Sequence, residues 1–130
     1  KGVHDFTATT GNTFKIALYT SDATLGAGTT AYSTSNEITN SSGTAYTAGG
    51  ATLTSVTPTS SSTTALCDFS DVSYTSASFT ANGALIYNDS ASGDPAVCAI
   101  AFGADKTVTS GTFTIQFPAA AATTAIIRLA

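Results

Sequence analysis

The sequence has 130 residues, a length typical of one domain, and a net charge of −4 at neutral pH. Only 9% of its residues are charged, and the basic ones are scattered, so no basic stripe can neutralise a phosphate backbone. No apolar run reaches the length that crosses a bilayer. We therefore expect residues 1–130 to form a single domain whose partners include neither nucleic acid nor membrane.

The abundance of threonine and the scarcity of glutamate, lysine, glutamine and arginine favour strands over helices. A surface made of threonine, serine and alanine carries little charge that must be desolvated when it is covered. The composition thus predicts an all-β protein whose surface is suited to association. The alternative that this composition leaves open is a secreted or stalk-like module with a neutral polar surface.

The residue pattern in the first half of the chain predicts a strand, a long irregular excursion and two more strands. Residues 13–20 alternate, with Phe14, Ile16 and Leu18 on one face. Residues 21–50 lose this pattern, and we predict only a short strand at residues 32–38 before Gly49 and Gly50, which supply positive φ or a bulge. Strands follow at residues 51–57 and 63–69, separated by a turn at residues 58–62.

The second half predicts longer strands and a hairpin loop. A strand resumes at residues 71–74 after a bulge, and residues 78–87 form the longest candidate, in which Gly83 marks a bulge or a close backbone approach. A loop is expected at residues 88–95. Residues 96–102 are apolar on both faces, which predicts a central, covered strand. Strands at residues 112–117, ended by Pro118, and 125–129 complete the chain.

About eight strands with frequent turn signals predict a two-sheet antiparallel sandwich, jelly-roll-like in character. Period-two placement predicts which side chains form much of its core. These are Phe14, Ile16, Leu18, Leu85, Ile100, Phe113, Ile115 and Phe117.

The residues that usually carry chemistry do not combine into a site in the sequence. His4 is the single histidine, so no catalytic triad or histidine pair for a metal is supported, and its place near the start of the sequence predicts an exposed side chain. Asp68 and Asp71 flank Phe69 at a strand end, where local turn hydrogen bonds are the commoner role of aspartate. The loop from residue 89 to 94 lacks the acidic residue that completes a calcium loop. We expect no enzyme activity, no cofactor and no metal.

The two cysteines are expected to be reduced and buried. Cys67 and Cys98 lie on separate predicted strands among apolar residues, where a thiol behaves as a small hydrophobic group. A disulfide would require the two strands to be paired or facing. Reduced thiols fit assembly in a reducing cytosol.

The tyrosines leave sugar binding open as an alternative. Exposed aromatic rings stack on sugars, whereas isolated tyrosines at strand ends more often close a core and keep the hydroxyl in water. The candidates are Tyr19, Tyr32, Tyr46, Tyr74 and Tyr87.

Two segments are predicted to form an interface with a partner: the long excursion at residues 21–50 and the N-terminal segment around Val3, His4 and Phe6. Ordering a long irregular excursion costs roughly 1–2 kcal/mol per residue, which a partner surface can offset. An apolar chain end is likewise disordered unless something holds it. Strand addition to a neighbouring sheet edge is the expected mode. The predicted interface residues are Val3, Phe6, Leu25, Tyr32, Ile38 and Tyr46.

Several stretches of the sequence resemble a group of small structural proteins of tailed-phage virions. These stretches are FKIALYTSDATLGAGTTAY, YTAGGATL, FTANGALIYN, FGADKTVTSGTFTIQFP and AIIRLA, which together cover nearly the whole chain. Related chains often carry arginine at the position of Asn82 and a longer start ahead of Lys1. The resemblance therefore also suggests an N-terminal arm that precedes this sequence.

The resemblance implies a virion component without enzyme activity, assembled in the host cytoplasm. We expect a head decoration or cement protein that binds and stabilises the capsid. Its expected partners are the major capsid protein or other virion proteins, together with further copies of itself as a homo-oligomer. The alternative is a tail, neck or fibre module, which contacts glycans in one version. The group offers no functional residue to carry over to this sequence.

Overall fold

The computed structural model describes residues 2–39 and 45–129, and these residues form seven strands and no helix. The expectation of an all-β fold is confirmed. The strands are β1 (Phe14–Tyr19), β2 (Ala51–Leu53), β3 (Ser55–Ser61), β4 (Thr64–Phe69), β5 (Val72–Asn88), β6 (Ala96–Ile115) and β7 (Ile127–Leu129).

The strands form two antiparallel sheets, in agreement with the predicted sandwich. One sheet has four strands in the order β2-β1-β5-β6, and the other has three in the order β3-β4-β7. Along the chain, β3 and β4 form a hairpin in the three-stranded sheet, and β5 and β6 then form a hairpin in the four-stranded sheet. This arrangement lets short loops connect strands that face each other across a common core.

Two pairs of predicted strands are in fact continuous. Residues 71–87 contribute to the single strand β5, and residues 96–117 contribute mainly to β6. Irregularities that interrupt the hydrophobic period explain the difference, since the β5–β6 register shifts near Ala77 and again before Gly83. At Gly83 a β-carbon would lie 2.9 Å from the carbonyl oxygen of Ile100, so the predicted close backbone approach is confirmed.

Two further predictions about strands are wrong. Residues 32–38 form no strand, because their β-pairing is limited to an isolated bridge between Glu37 and Tyr19, with a second bridge, between Ala31 and Pro95, just before them. The turn expected around Pro58 begins only at Ser62, whose φ is 55°, and Pro58 lies within β3. Proline is tolerated there because β3 is the outer strand of its sheet and needs no donor on its open side.

Both sheets contribute to one main core. Phe14, Ile16 and Leu18 are fully buried in it, as predicted, and Phe69 joins it from the three-stranded sheet. The four predicted core residues on β6 and just after it are only half-buried where they pack against this core. They are Ile100, Phe113, Ile115 and Phe117.

The position of β6 explains this half-burial. The sequence predicted that residues 96–102 form a central strand, whereas β6 is the outer strand of its sheet. Side chains on an outer strand have neighbours on one side only, so apolar residues there remain partly accessible.

The opposite face of the four-stranded sheet carries a second, smaller core. Leu85, predicted for the main core, is buried here together with Ala17, Tyr19 and Tyr87. Residues from the long excursion, Leu25 among them, pack over this cluster. The excursion therefore covers a sheet face that would otherwise expose apolar side chains.

Candidate binding surfaces

Residues 20–39, here called the strap, cross the outer face of the four-stranded sheet. The Tyr32 ring stacks on the Tyr87 ring with centroids 4.5 Å apart, and the Tyr19 hydroxyl donates to the Ser33 carbonyl oxygen at 2.7 Å. Leu25 lies above Gly83, where the missing side chain leaves room for it. The remainder of the predicted excursion includes residues 40–44, which lie outside the described residues.

The strap also completes the edge of β1. Strand β2 pairs with β1 only as far as Ile16. Beyond that point the Ile38 N–H donates to the Leu18 carbonyl oxygen at 2.9 Å, and the Leu18 N–H donates to the Tyr46 hydroxyl at 3.0 Å. Buried backbone groups require partners, so this edge depends on the excursion.

The Glu37 side chain is the polar centre that holds the strap. It is only 6% exposed and accepts hydrogen bonds from the Tyr46 hydroxyl at 2.6 Å, the Tyr32 hydroxyl at 2.6 Å and the Gly49 N–H at 2.7 Å. All three groups donate, which suits an ionised carboxylate because it is an acceptor only. Such charge-assisted hydrogen bonds are short and strong, and they join the strap to the end of the excursion at Tyr46 and Gly49.

Burial changes the acidity of the tyrosines around this centre. It raises the pKa of Tyr46, Tyr32 and Tyr87 above the ordinary value, and the Glu37 side chain raises the pKa of Tyr46 and Tyr32 further by accepting hydrogen bonds from their hydroxyls. Burial also raises the pKa of Tyr74 to about 12. The hydroxyls therefore stay protonated, as their role as donors requires. The prediction that tyrosine hydroxyls point into water is wrong for Tyr46, which is 1% exposed.

The N-terminal segment is held on the body of the protein by Asn88, which is fully buried. Its side-chain amide donates to the Val3 carbonyl oxygen at 2.9 Å and to the Asn12 side-chain oxygen at 2.9 Å. The Phe6 ring stacks on Phe14 with centroids 4.6 Å apart. His4, expected to be exposed, is half-buried beside these rings.

The six residues predicted to form an interface therefore lie in two different settings. Ile38 and Tyr46 are buried within this chain, so in this conformation neither side chain is accessible to a partner. Phe6, Leu25 and Tyr32 are half-buried, and Val3 is 43% exposed. An interface that uses the accessible part of this set stays a prediction.

A different surface is both open and apolar, and four of its residues were predicted to belong to the core. It is a groove of about 530 Å³ beside β6, here called the β6 groove. Its apolar lining includes Ile100, Phe102, Phe113, Ile115, Phe117 and Ile126, and Lys106 is the charged residue that borders it. The alternation of Phe113, Ile115 and Phe117 was the available signal, but periodicity does not distinguish a closed core from an open edge.

The acidic residues considered as sites make hydrogen bonds or an ion pair within the chain, and the predicted local hydrogen bond is confirmed for Asp68 but not for Asp71, whose partner lies 46 positions away. One Asp68 oxygen accepts from the Phe69 N–H, and one Asp71 oxygen accepts from the Phe117 N–H, both at 2.9 Å. Asp89, in the loop before β6, forms an ion pair of 3.1 Å with Lys15. Among residues 2–39 and 45–129, no three potential metal ligands lie close enough together to hold an ion.

The cysteines are free thiols on different sheets. Cys67 lies on β4 and Cys98 on β6, and both are half-buried rather than fully buried as expected. Partial burial raises the pKa of each thiol, so neither has the character of an activated nucleophile.

The part of the chain that the structure describes contains no helix of the length and apolarity needed to cross a membrane. No family model, curated protein or solved structure matches this chain.

Proposed function

We propose that this chain is a non-enzymatic structural protein of a tailed-phage virion, which binds the head shell as a decoration or cement protein. The resemblance of its sequence to small virion proteins supports the proposal. The structural observation that carries it is the open side of the sandwich, where the outer strand β6 lies beside an apolar groove. A jelly-roll-like relation between the two sheets is part of the same proposal.

The β6 groove suits a protein partner for energetic reasons. Removal of apolar surface from water is favourable by about 25 cal/mol per Å² before the entropic costs of association are subtracted. Lys106 is the charged residue that borders the groove, so docking there removes little charge from water. A partner that covers the groove therefore gains apolar contact at a small electrostatic cost.

Stabilisation of the shell follows from selective binding. A decoration protein that binds the assembled lattice but not the free subunits shifts the equilibrium towards the lattice by mass action. The proposed partners are the major capsid protein or other virion proteins, with additional copies of this chain as neighbours. A tail, neck or fibre location is the competing proposal, but the glycan-contacting version of it receives little support because Tyr19, Tyr46, Tyr74 and Tyr87 are buried.

Particles that lack this protein provide the test. Purified protein is added to such particles, and the bound copy number is measured after sedimentation. We expect a copy number comparable to that of the shell subunit and a higher temperature of particle disruption. A copy number that matches a single ring at the neck or tail would contradict the head assignment, and no binding to any virion part would contradict the virion role.

A substitution in the groove links the binding to this surface. Phe102→Ser removes a half-buried apolar side chain from the groove lining, whereas Thr80→Ser changes an exposed residue on the other face of the sheet. We expect the first variant to bind particles at least tenfold more weakly and the second to bind like the wild type. Urea denaturation of both variants establishes that each is folded before the comparison is made.

A further inference from the structure

The outer edge of β6 carries backbone N–H and C=O groups that pair with no other described strand. It pairs with β5 on one side and has no strand on the other, and among the described residues only its first residue has a backbone hydrogen bond outside the sheet, from Ala96 N–H to Thr30. Exposed edges of this kind are templates for an added strand. Register shifts against β5, one of them around Gly103, whose φ is 75°, interrupt β6, and its last stretch, from Phe113 to Ile115, is regular.

The apolar side chains along and just after this last stretch have the spacing that an added strand requires. Phe113, Ile115 and Phe117 recur at every second position and line the groove. Successive side chains of a strand point to opposite faces, so a segment paired along this edge directs every second side chain into the groove. Apolar residues at alternate positions of the partner would fill it.

Charge specifies one further property of the partner. The Lys106 ammonium borders the groove and has no hydrogen bond or ion pair within residues 2–39 and 45–129, whereas Lys15 is paired with Asp89 and Arg128 donates to the Ala122 carbonyl oxygen. A carboxylate on the added segment complements this cation without leaving a charge unpaired at the interface.

We propose that β6 accepts an extended segment of a partner protein as an additional strand, with alternate apolar side chains in the β6 groove and a carboxylate against Lys106. The inference rests on the proposed function, since the partner is then a virion protein. It specifies the contact more closely than that function does, because it names the edge, the direction of the side chains and the charge that the segment carries.

Short synthetic peptides with blocked ends test the proposal without any virus particle. Valine and threonine alternate in these peptides, and an aspartate replaces either the first or the last valine, which covers both strand directions. Control peptides carry asparagine instead. Binding to the full chain is measured by fluorescence anisotropy of the labelled peptide, and hydrogen exchange of the protein shows which amides become protected.

We expect one aspartate peptide to protect β6 amides and to bind about threefold more tightly than its asparagine control, as for an exposed ion pair. Lys106→Gln should abolish that preference. Lys15→Gln removes the same charge from β1, away from the groove, and should keep the preference.

Protection outside β6, or an aspartate preference that survives Lys106→Gln, would overturn the inference. So would groove occupation by dodecanoate, an apolar carboxylate, under conditions in which none of the peptides binds. Such results would leave the proposed function standing if the protein still bound particles. If the protein bound the peptide but did not bind particles, only the proposed function would be contradicted.

Discussion

Replacement of Tyr46 by phenylalanine tests whether the buried polar centre holds the strap. Tyr46 is 1% exposed, its hydroxyl donates to Glu37 Oε1 at 2.6 Å, and the Tyr46 hydroxyl oxygen accepts a hydrogen bond from the Leu18 N–H at 3.0 Å. The substitution removes a hydrogen bond to a charged group, worth about 1.5–3 kcal/mol, and leaves a buried N–H without this partner. Glu37 Oε1 keeps the Gly49 N–H, so we expect a net loss of about 3 kcal/mol.

Tyr32→Phe is the matched control. It also removes one hydroxyl that donates to Glu37 at 2.6 Å, but this ring is only half-buried and water can replace the lost donor. We expect a loss of about 1 kcal/mol in the free energy of unfolding. Urea denaturation followed by circular dichroism measures both values. A Tyr46→Phe variant within 0.5 kcal/mol of the wild type, or a larger loss for Tyr32→Phe, would refute the reasoning.

Three further predictions concern the core, the N-terminal segment and alkaline pH. Phe14→Ala should lower the free energy of unfolding by about 4 kcal/mol because the ring is fully buried, and Phe113→Ala should lower it by about half of that because its ring is half-buried. Equal losses in urea denaturation would contradict the position of Phe113 at the edge of the core. Asn88→Ala should release residues 3–12, seen as faster amide exchange there with little change in β6. Burial raises the pKa of Tyr74 to about 12, so as pH rises the unfolded chain loses the Tyr74 proton before the folded chain does. The free energy of unfolding should therefore be retained below about pH 10 and should fall as pH rises towards 12. A constant urea midpoint over that range would contradict this prediction.

Local pattern was sufficient to identify most strands. The alternation of Phe14, Ile16 and Leu18 reports a strand with one buried face whatever its neighbours are, and these residues are indeed buried. The glycine pair before β2 was also predictable, since Gly49 and Gly50 adopt φ values of 91° and 79° that disfavour other residues. Such properties depend on a residue and its immediate neighbours in the chain, which the sequence states directly.

The position of each strand within its sheet was decided only by the tertiary structure. An apolar run such as residues 96–102 satisfies a central strand and an outer strand equally well, because periodicity reports the faces of a strand and not its edges. The sheet order places β6 outermost, and that order leaves the β6 groove open.

The role of the strap was decided by contacts between distant positions. The groups that donate to Glu37 come from a residue five positions before it and from residues nine and twelve positions after it, and no period marks them. In the sequence, Glu37 is an isolated charge in a polar stretch, for which exposure to water is the ordinary expectation. Folding brings three hydrogen-bond donors to the two oxygens of Glu37. These hydrogen bonds offset the cost of burying the carboxylate, although this part of the chain has no regular secondary structure.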